Sequence, residues 1–310
     1  MKANNSIMYS SRRRNMPEVT AKYIFLATGV IAILAVCSIT FYMILRGMPT
    51  FTIVGPIDLL FGTVWQPTAA TPSYGILYVI LTSIIGTAFA ILLGVPVALL
   101  TAVFLTEISE KHLTMVIQPA VELLAAIPSV IYGLLGMMVL NPAIYHLEQM
   151  IYKNDPSHQF TGGANLLSAI IVLAIMILPT VINMSVSALR AVPMHYRSAS
   201  YALGATKIQT IFKVTIPAAK SGIMTGIVLG IGRALGEAMA INMVAGGSVN
   251  FPLPFNSVRF LTTQLVSEMS YASGVHRQVL FTIGLVLFVF IMLINILLMK
   301  LSKRGEENER

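Results

Sequence analysis

Sulfur chemistry is almost absent from this sequence, which holds one cysteine, Cys37, in 310 residues. A lone thiol excludes an internal disulfide framework and a cysteine-ligated metal site, and its place inside an apolar run makes it a small hydrophobe facing lipid or a neighbouring helix. Charge is scarce too. Only 10% of the residues are charged against 56% hydrophobic, and the mean hydropathy is +0.81. No soluble globular domain can bury that much apolar surface, so the class is an all-α polytopic membrane protein. There is no G-x-x-x-x-G-K-S/T phosphate loop, so no ATPase site is expected in this chain. His112, His146, His158, His195 and His276 fall in loops or at span ends without close paired spacing, which argues against a metal site. No Ser-His-Asp or Cys-His arrangement stands out, and no repeat of fixed period is visible, so the chain does not read as two fused halves.

What the sequence has in abundance is long apolar runs. Six of them extend from about Lys22 to Leu45, Tyr74 to Leu105, Met115 to Leu140, Leu166 to Leu189, Ala219 to Ala245 and Val279 to Met299. Each exceeds the roughly 20 residues a helix needs to cross the hydrocarbon. The first is too long for a signal-peptide core and lacks a convincing cleavage site, so it counts as a span. With the N-terminus inside, fifteen of the 20 basic residues lie on the cytoplasmic side, only Arg46, Lys153, Arg259 and Arg277 lie outside, and Arg233 is left in the membrane. That asymmetry predicts cytoplasmic N- and C-termini. It also accounts for the net charge of +8 and the pI near 9.6 without nucleic acid.

The expected organisation is a cytoplasmic tail at 1–21, a first transmembrane helix at 22–46 and an extracytoplasmic loop at 47–73. A core of five further helices follows at 74–299 with a cytoplasmic loop at 190–218, and then a solvated tail at 300–310 that includes Glu306, Glu307 and Glu309. The outward loops 47–73, 141–165 and 246–278 are rich in proline and glycine, suited to receiving a binding protein or to capping the bundle. The single tryptophan, Trp65, reads equally as an interfacial anchor and as a contact residue.

Between the fourth and fifth runs, Ser198 to Pro217 is polar and basic, yet Ala202, Ala205, Ile208, Ile211 and Phe212 recur at helical spacing. Gly204 breaks that pattern and Pro217 ends it, so the stretch reads as two short helices lying on the membrane surface with an apolar face open to a partner. An ordinary interfacial amphipathic helix has the same pattern. In the fifth run, Arg233 and Glu237 are four residues apart, which on one continuous helix puts them on one face with Gly222, Gly226 and Gly230. Arg233 would lie about 20 Å along that helix, well inside a core of about 30 Å. Charges at that depth are costly and default to function. The pair reads either as a structural ion pair or as an anion site in which a planar guanidinium grips a tetrahedral oxyanion. Glu122, near the cytoplasmic end of the third run, is the next ionisable residue of interest, or a span-end charge reaching the interface. Pro96 and Pro128 are expected to kink their spans.

Set beside these features, Ala199, Gly204, Val214, Ile216 and Pro217 have the spacing of the cytoplasmic loop of ABC-importer permeases, with Ser198 and Ser200 standing where that family commonly has Glu and Ala. Further, ELLAAIPS at Glu122 to Ser129, ALRAVP at Ala188 to Pro193, ALGAT at Ala202 to Thr206 and GRALGEAMA at Gly232 to Ala240 together resemble the phosphate-specific permeases. Trp65-x-Pro67 with Tyr74-Gly75-Ile76 resembles their PstC-type subunit. The resemblance implies a MetI-like fold in the bacterial inner membrane and half of a translocation pathway, completed by a sister PstA-type permease. It implies two PstB-type ATPases that bind the ATP and magnesium, leaving this chain without a cofactor, and an extracytoplasmic PstS-type phosphate-binding protein. It makes Ser198, Ala199, Ser200, Gly204, Ala205, Val214, Ile216 and Pro217 the coupling loop to the ATPase, and Arg233, Glu237 and Glu122 the substrate pathway. The alternatives are a permease for sulfate or molybdate, a secondary transporter using Glu237 and Glu122 as proton carriers, and a membrane scaffold that transports nothing.

The charge asymmetry is testable in intact cells. Cysteines introduced near Pro56, Asn154 and Pro254 should be labelled by an impermeant reagent from outside, whereas those near Lys111, Lys207 and Ser302 should not; labelling at position 207 would reverse the topology.

Overall fold

A computed structural model describes residues 11–307. The chain starts with α1 (Ser11–Ile53), 43 residues long. At about 1.5 Å per residue that is far longer than a bilayer is thick, so from Ser11 onward the expected tail belongs to the first helix, and so does the start of the expected loop 47–73. Residues 1–10 and 308–310, Glu309 among them, lie outside the described residues. After α2 (Pro56–Phe61), strands β1 (Trp65–Gln66) and β2 (Ser73–Tyr74) pair antiparallel with Trp65 opposite Tyr74. Then come α3 (Leu77–Val103), in which Pro96 sits without interrupting the helix, and a π turn at Phe104–Ile108.

The third apolar run is not one helix. α4 (Lys111–Ala126) stops before Pro128, with Ile127 extended at ψ 127°, as expected of a residue preceding proline. The chain restarts as α5 (Ser129–Leu135) and continues through a π turn at Gly136–Leu140 into α6 (Asn141–Ile151), a segment read from the sequence as loop. The span-like stretch is Ser129–Ile151 rather than 115–140. α7 (Leu166–Ala191) follows, started by Asn165, whose side chain accepts from Ser168 N at 3.1 Å.

The surface loop is α8 (Met194–Ala202), α9 (Lys207–Thr210), a π turn at Ile211–Thr215 and α10 (Ile216–Ala218). The chain bends by 69° into α11 (Lys220–Gly236). Pro217 therefore does not end the helical pattern. It occupies the first turn of α10, where a missing N–H costs little, and the bend falls at Ala219. α12 (Met239–Val244), α13 (Leu261–Glu268) and α14 (Gly274–Glu307) complete the chain, α14 running on through most of the expected 300–310 tail. Five helices are long and apolar enough to cross a membrane, and the bent pair Lys207–Ala218 with Lys220–Gly236 makes up to six.

α7 is the axis of the bundle, with α3 and α11 packed along it. Its buried side chains join two clusters, one around Leu173, Ile177 and Ile241 and one around Val181, Leu189 and Ile223. α11 comes close because its contact face is glycine: a methyl group built on Gly222, Gly226 or Gly230 would stand 2.5–2.8 Å from Ala188, Met184 or Val181. This is the small-residue face expected from the sequence. α1 is different, for no residue of its apolar stretch is buried. It touches the bundle through α14, where Thr282 Oγ1 donates to Gly47 O at 2.8 Å.

Gly226→Leu should force α11 off α7. Overpacking of this kind costs about 1–3 kcal/mol, read as a lower unfolding midpoint of the purified chain; an unchanged midpoint would mean that the glycine contact does not hold these helices.

Candidate functional site

The fifth apolar run breaks in its middle, and the break carries the candidate site. α11 ends at Gly236 because Glu237 is extended (ψ 127°), and α12 begins two residues later. Arg233 and Glu237 are thus not one turn apart on a continuous helix, and among the described residues they form no ion pair with each other. Each charge faces the helix end that suits it. Arg233 lies in the last turn of α11, where unpaired carbonyls carry partial negative charge; Glu237 precedes α12, and its Oε1 accepts from Ala240 N at 2.9 Å.

The neighbours of the break come from three other helices. Arg233 donates to Thr180 Oγ1 at 3.4 Å, and Thr180 follows Pro179, which leaves a carbonyl of α7 without its amide partner. Tyr132 on α5 is within electrostatic reach of Arg233, and its hydroxyl donates to Leu124 O at 2.7 Å across the Pro128 break. Thr262 on α13 donates to Glu237 O at 2.7 Å. Both charged side chains stay half-buried. A half-buried guanidinium held by a weak neutral contact, beside a broken helix, can accept an anion without first losing a carboxylate partner.

Glu122 is elsewhere. Its exposed side chain accepts from Gln118 Nε2 at 3.1 Å, and Gln118 Oε1 accepts from Arg190 at 2.9 Å; no hydrogen bond links it to Arg233 or Glu237.

At the C-terminal end of α7, α8 and α9 meet at Gly204, whose φ of +81° is costly for a residue with a Cβ. Gly204 N bonds Tyr201 O at 3.0 Å, and Thr206 caps α9 in a reciprocal box with Gln209. Ser200 Oγ lies 2.9 Å from Thr210 Oγ1, which fastens one short helix to the other. Arg197 ties the loop to the bundle through Glu107 at 2.7 Å and Leu189 O at 3.0 Å. The expected apolar face divides. Ile211 is 2% exposed, packed into the bundle, while Leu203 and Ile208 are 90% and 70% exposed. Ser198 and Ala199 face solvent, Ser200, Ala205, Val214, Ile216 and Pro217 are half-buried, and Ser198 Oγ donates to Met194 O at 3.1 Å.

The opposite end holds two buried carboxylates, Glu148 and Glu268, that no local pattern in the sequence singles out. Glu268 accepts from Trp65 Nε1 at 3.0 and 3.2 Å, pairs with Arg259 and lies 2.7 Å from His276 Nε2. Trp65 is therefore a buried-network donor, beside a cavity of about 520 Å³ that Arg259 and Tyr271 also line. Burial first, and then the Glu268 charge, push the Tyr271 hydroxyl above its ordinary range. Glu148 accepts from Thr161 N at 3.2 Å and lies 2.8 Å from His158 Nε2, whose ring stacks on Tyr152 at 3.8 Å. Partners 203 residues apart, as for Trp65 and Glu268, leave no local signal.

Residues 94–305 match the family described as binding-protein-dependent transport system inner membrane component. The chain is 38% identical over 309 residues to the probable ABC transporter permease protein YqgH of Bacillus subtilis, covering 98% of this chain and 97% of that protein. It is 33% identical over 254 residues to the phosphate transport system permease protein PstC of Pasteurella multocida, covering 77% and 79%. A chain of the bacterial alginate ABC transporter, solved with its alginate-bound periplasmic protein, shares the fold at a TM-score of 0.64 and 16% identity, covering 94% of this chain and 98% of that one. Helical breaks, multiple spans and sequence agree: the chain belongs to the binding-protein-dependent transport system inner membrane components, the permease subunits of ABC transporters, and is a multi-pass inner-membrane protein.

Proposed function

We propose that this chain is the PstC-type subunit of an ATP-driven phosphate importer and passes phosphate inward beside Arg233. The observation that carries the reading is the half-buried guanidinium at the end of α11, offered to the bundle by a helix break and, among the described residues, hydrogen-bonded to Thr180 alone. Phosphate transport permeases at 33% identity support phosphate over other oxyanions. Arg233 supplies the attraction that offsets dehydration of the anion, and Glu237 keeps the break in shape by capping α12. Glu122 lies on the same route at the inner end.

One chain forms half of the pathway, and a PstA-type permease supplies the other half. Two PstB-type ATPases bind the ATP and magnesium, so this subunit carries no cofactor, and a PstS-type binding protein delivers phosphate to the outer loops. Both termini are cytoplasmic, which puts the α8–α9 loop on the ATP side. Leu203, Ile208 and Phe212, apolar and exposed on that loop, are the natural contacts for the ATPase. Ser200 holds α8 to α9 through Thr210, and Arg197 then transmits the loop's motion to the bundle through Glu107 and Leu189 O.

Arg233→Gln should reduce phosphate uptake by the reconstituted complex at least tenfold while the complex assembles normally, because no bonded carboxylate is stranded by the change. Arg233→Gln with Glu237→Gln should assemble and remain inactive; a double variant transporting at the wild-type rate would move the anion path elsewhere. Separately, Gly204→Val places a β-branched residue at φ +81° and should weaken capture of the ATPase without lowering the amount of inserted permease. Full-strength capture by that variant would remove the loop from the coupling interface.

A further inference from the structure

A cavity of about 630 Å³ opens at the α8–α9 end of the bundle, where the π turn after α3, the first turns of α4 and the end of α7 meet. Two cations line it, Lys111 and Arg190. Both are exposed and neither forms an ion pair among the described residues: Lys111 follows Glu110, the residue at the N-cap of α4, and Arg190 meets the neutral amide of Gln118 at 2.9 Å rather than a carboxylate. The nearby Glu107 is taken up by Arg197 at 2.7 Å. Glu122 is the one carboxylate in the wall, and it is engaged by Gln118 Nε2 at 3.1 Å, on the far side of the amide from Arg190.

Lys111 is also the first residue of α4, a 16-residue helix that begins without a side-chain cap. Its first amide groups therefore add partial positive charge to that of the two side chains. The rest of the wall includes buried Leu105 and exposed Met115 and Pro119. A pocket with two cations outside any ion pair against one carboxylate, a helix start without a side-chain cap bond and an apolar flank has the chemistry of a phosphate-ester site at the level of lipid headgroups.

We propose that the Lys111–Arg190 cavity binds a phosphate group, with Arg190 as the planar donor and Lys111 as the point charge, and that the apolar flank favours the phosphate of an anionic phospholipid over free phosphate. Gln118 positions Arg190 by accepting from it and keeps Glu122 turned to its own amide. The site is separate from the Arg233 break; of the residues placed on the phosphate route, its wall holds Glu122, which is not among the proposed phosphate donors.

The full-length chain, reconstituted in nanodiscs of phosphatidylcholine alone or mixed with phosphatidylglycerol, tests this by its unfolding midpoint. Phosphatidylglycerol should raise the midpoint by about 2 °C or more, and Lys111→Gln with Arg190→Gln should abolish the rise while matching the wild type in phosphatidylcholine. Lys111→Arg with Arg190→Lys should retain most of it, and so should Arg233→Gln, which keeps the result independent of transport. Should the double Gln variant fail to fold, fewer phosphatidylglycerol molecules retained by the charge-reversed single variant Lys111→Glu in native mass spectrometry carries the same meaning. A rise produced instead by inorganic phosphate in phosphatidylcholine discs, and lost in the double Gln variant, would keep the site and assign it to free phosphate. No rise with either probe, or an equal rise in wild type and double Gln variant, overturns the proposal.

Discussion

The direct contact of α11's glycines with α7 is the constraint on which the other features rest. Gly222, Gly226 and Gly230 let two backbones approach to a distance that any side chain would forbid, against Ala188, Met184 and Val181. In lipid, where tails are as apolar as leucine, such close packing is what holds helices together. It sets where α11 ends relative to α7, and so brings Arg233 to Thr180. The same contact carries the 69° bend at Ala219 to the α8–α9 loop, so the surface loop and the half-buried arginine are two ends of one packed element.

Breaks in the helices are tolerated because the freed backbone groups find partners. Glu237 O receives the Thr262 hydroxyl and Ala240 N receives the Glu237 carboxylate, so neither is left bare in a medium without water. Across the Pro128 break, the Tyr132 hydroxyl satisfies Leu124 O. These repairs come from side chains on α5, α13 and the break itself. The result is a cluster of irregular backbone around a single guanidinium, an arrangement suited to a charged solute at membrane depth.

The two ends of the bundle are stiffened differently. At the α8–α9 end a single buried ion pair, Arg197 with Glu107, anchors a loop that leaves Leu203 and Ile208 bare. At the other end Glu268 gathers Trp65, Arg259 and His276 from three separate segments, and Glu148 gathers His158 and Thr161. Carboxylates this deeply buried require several donors each. They lock the hairpin at β1–β2 and the segment after α6 onto the bundle, whereas the α8–α9 loop is tied down through Arg197 and the buried Ile211 and leaves Leu203, Ile208 and Phe212 exposed.

Much of the architecture was legible in the sequence. Hydropathy and length alone determined the class, a bundle with several spans, because apolar area is a sum over neighbouring residues; the turn at Gly204 and the glycine face of α11 follow from local stereochemistry and from helical periodicity. That Arg233 falls within an apolar run follows from the same arithmetic. Which residues pair was decided by the tertiary structure. Glu237 leaves the helix that its neighbours favour, and the hydroxyl of Thr262, 25 positions further on, donates to its carbonyl. Pro217 fails to end a helix because a new one starts at its first turn, and 141–151 becomes helix because Ile144 and Glu148 have a buried surface to face. Trp65 and Glu268 meet across 203 residues. Local pattern carries the energy of burying a segment in lipid, but the satisfaction of individual polar groups depends on partners that only the folded chain brings within 3 Å or so.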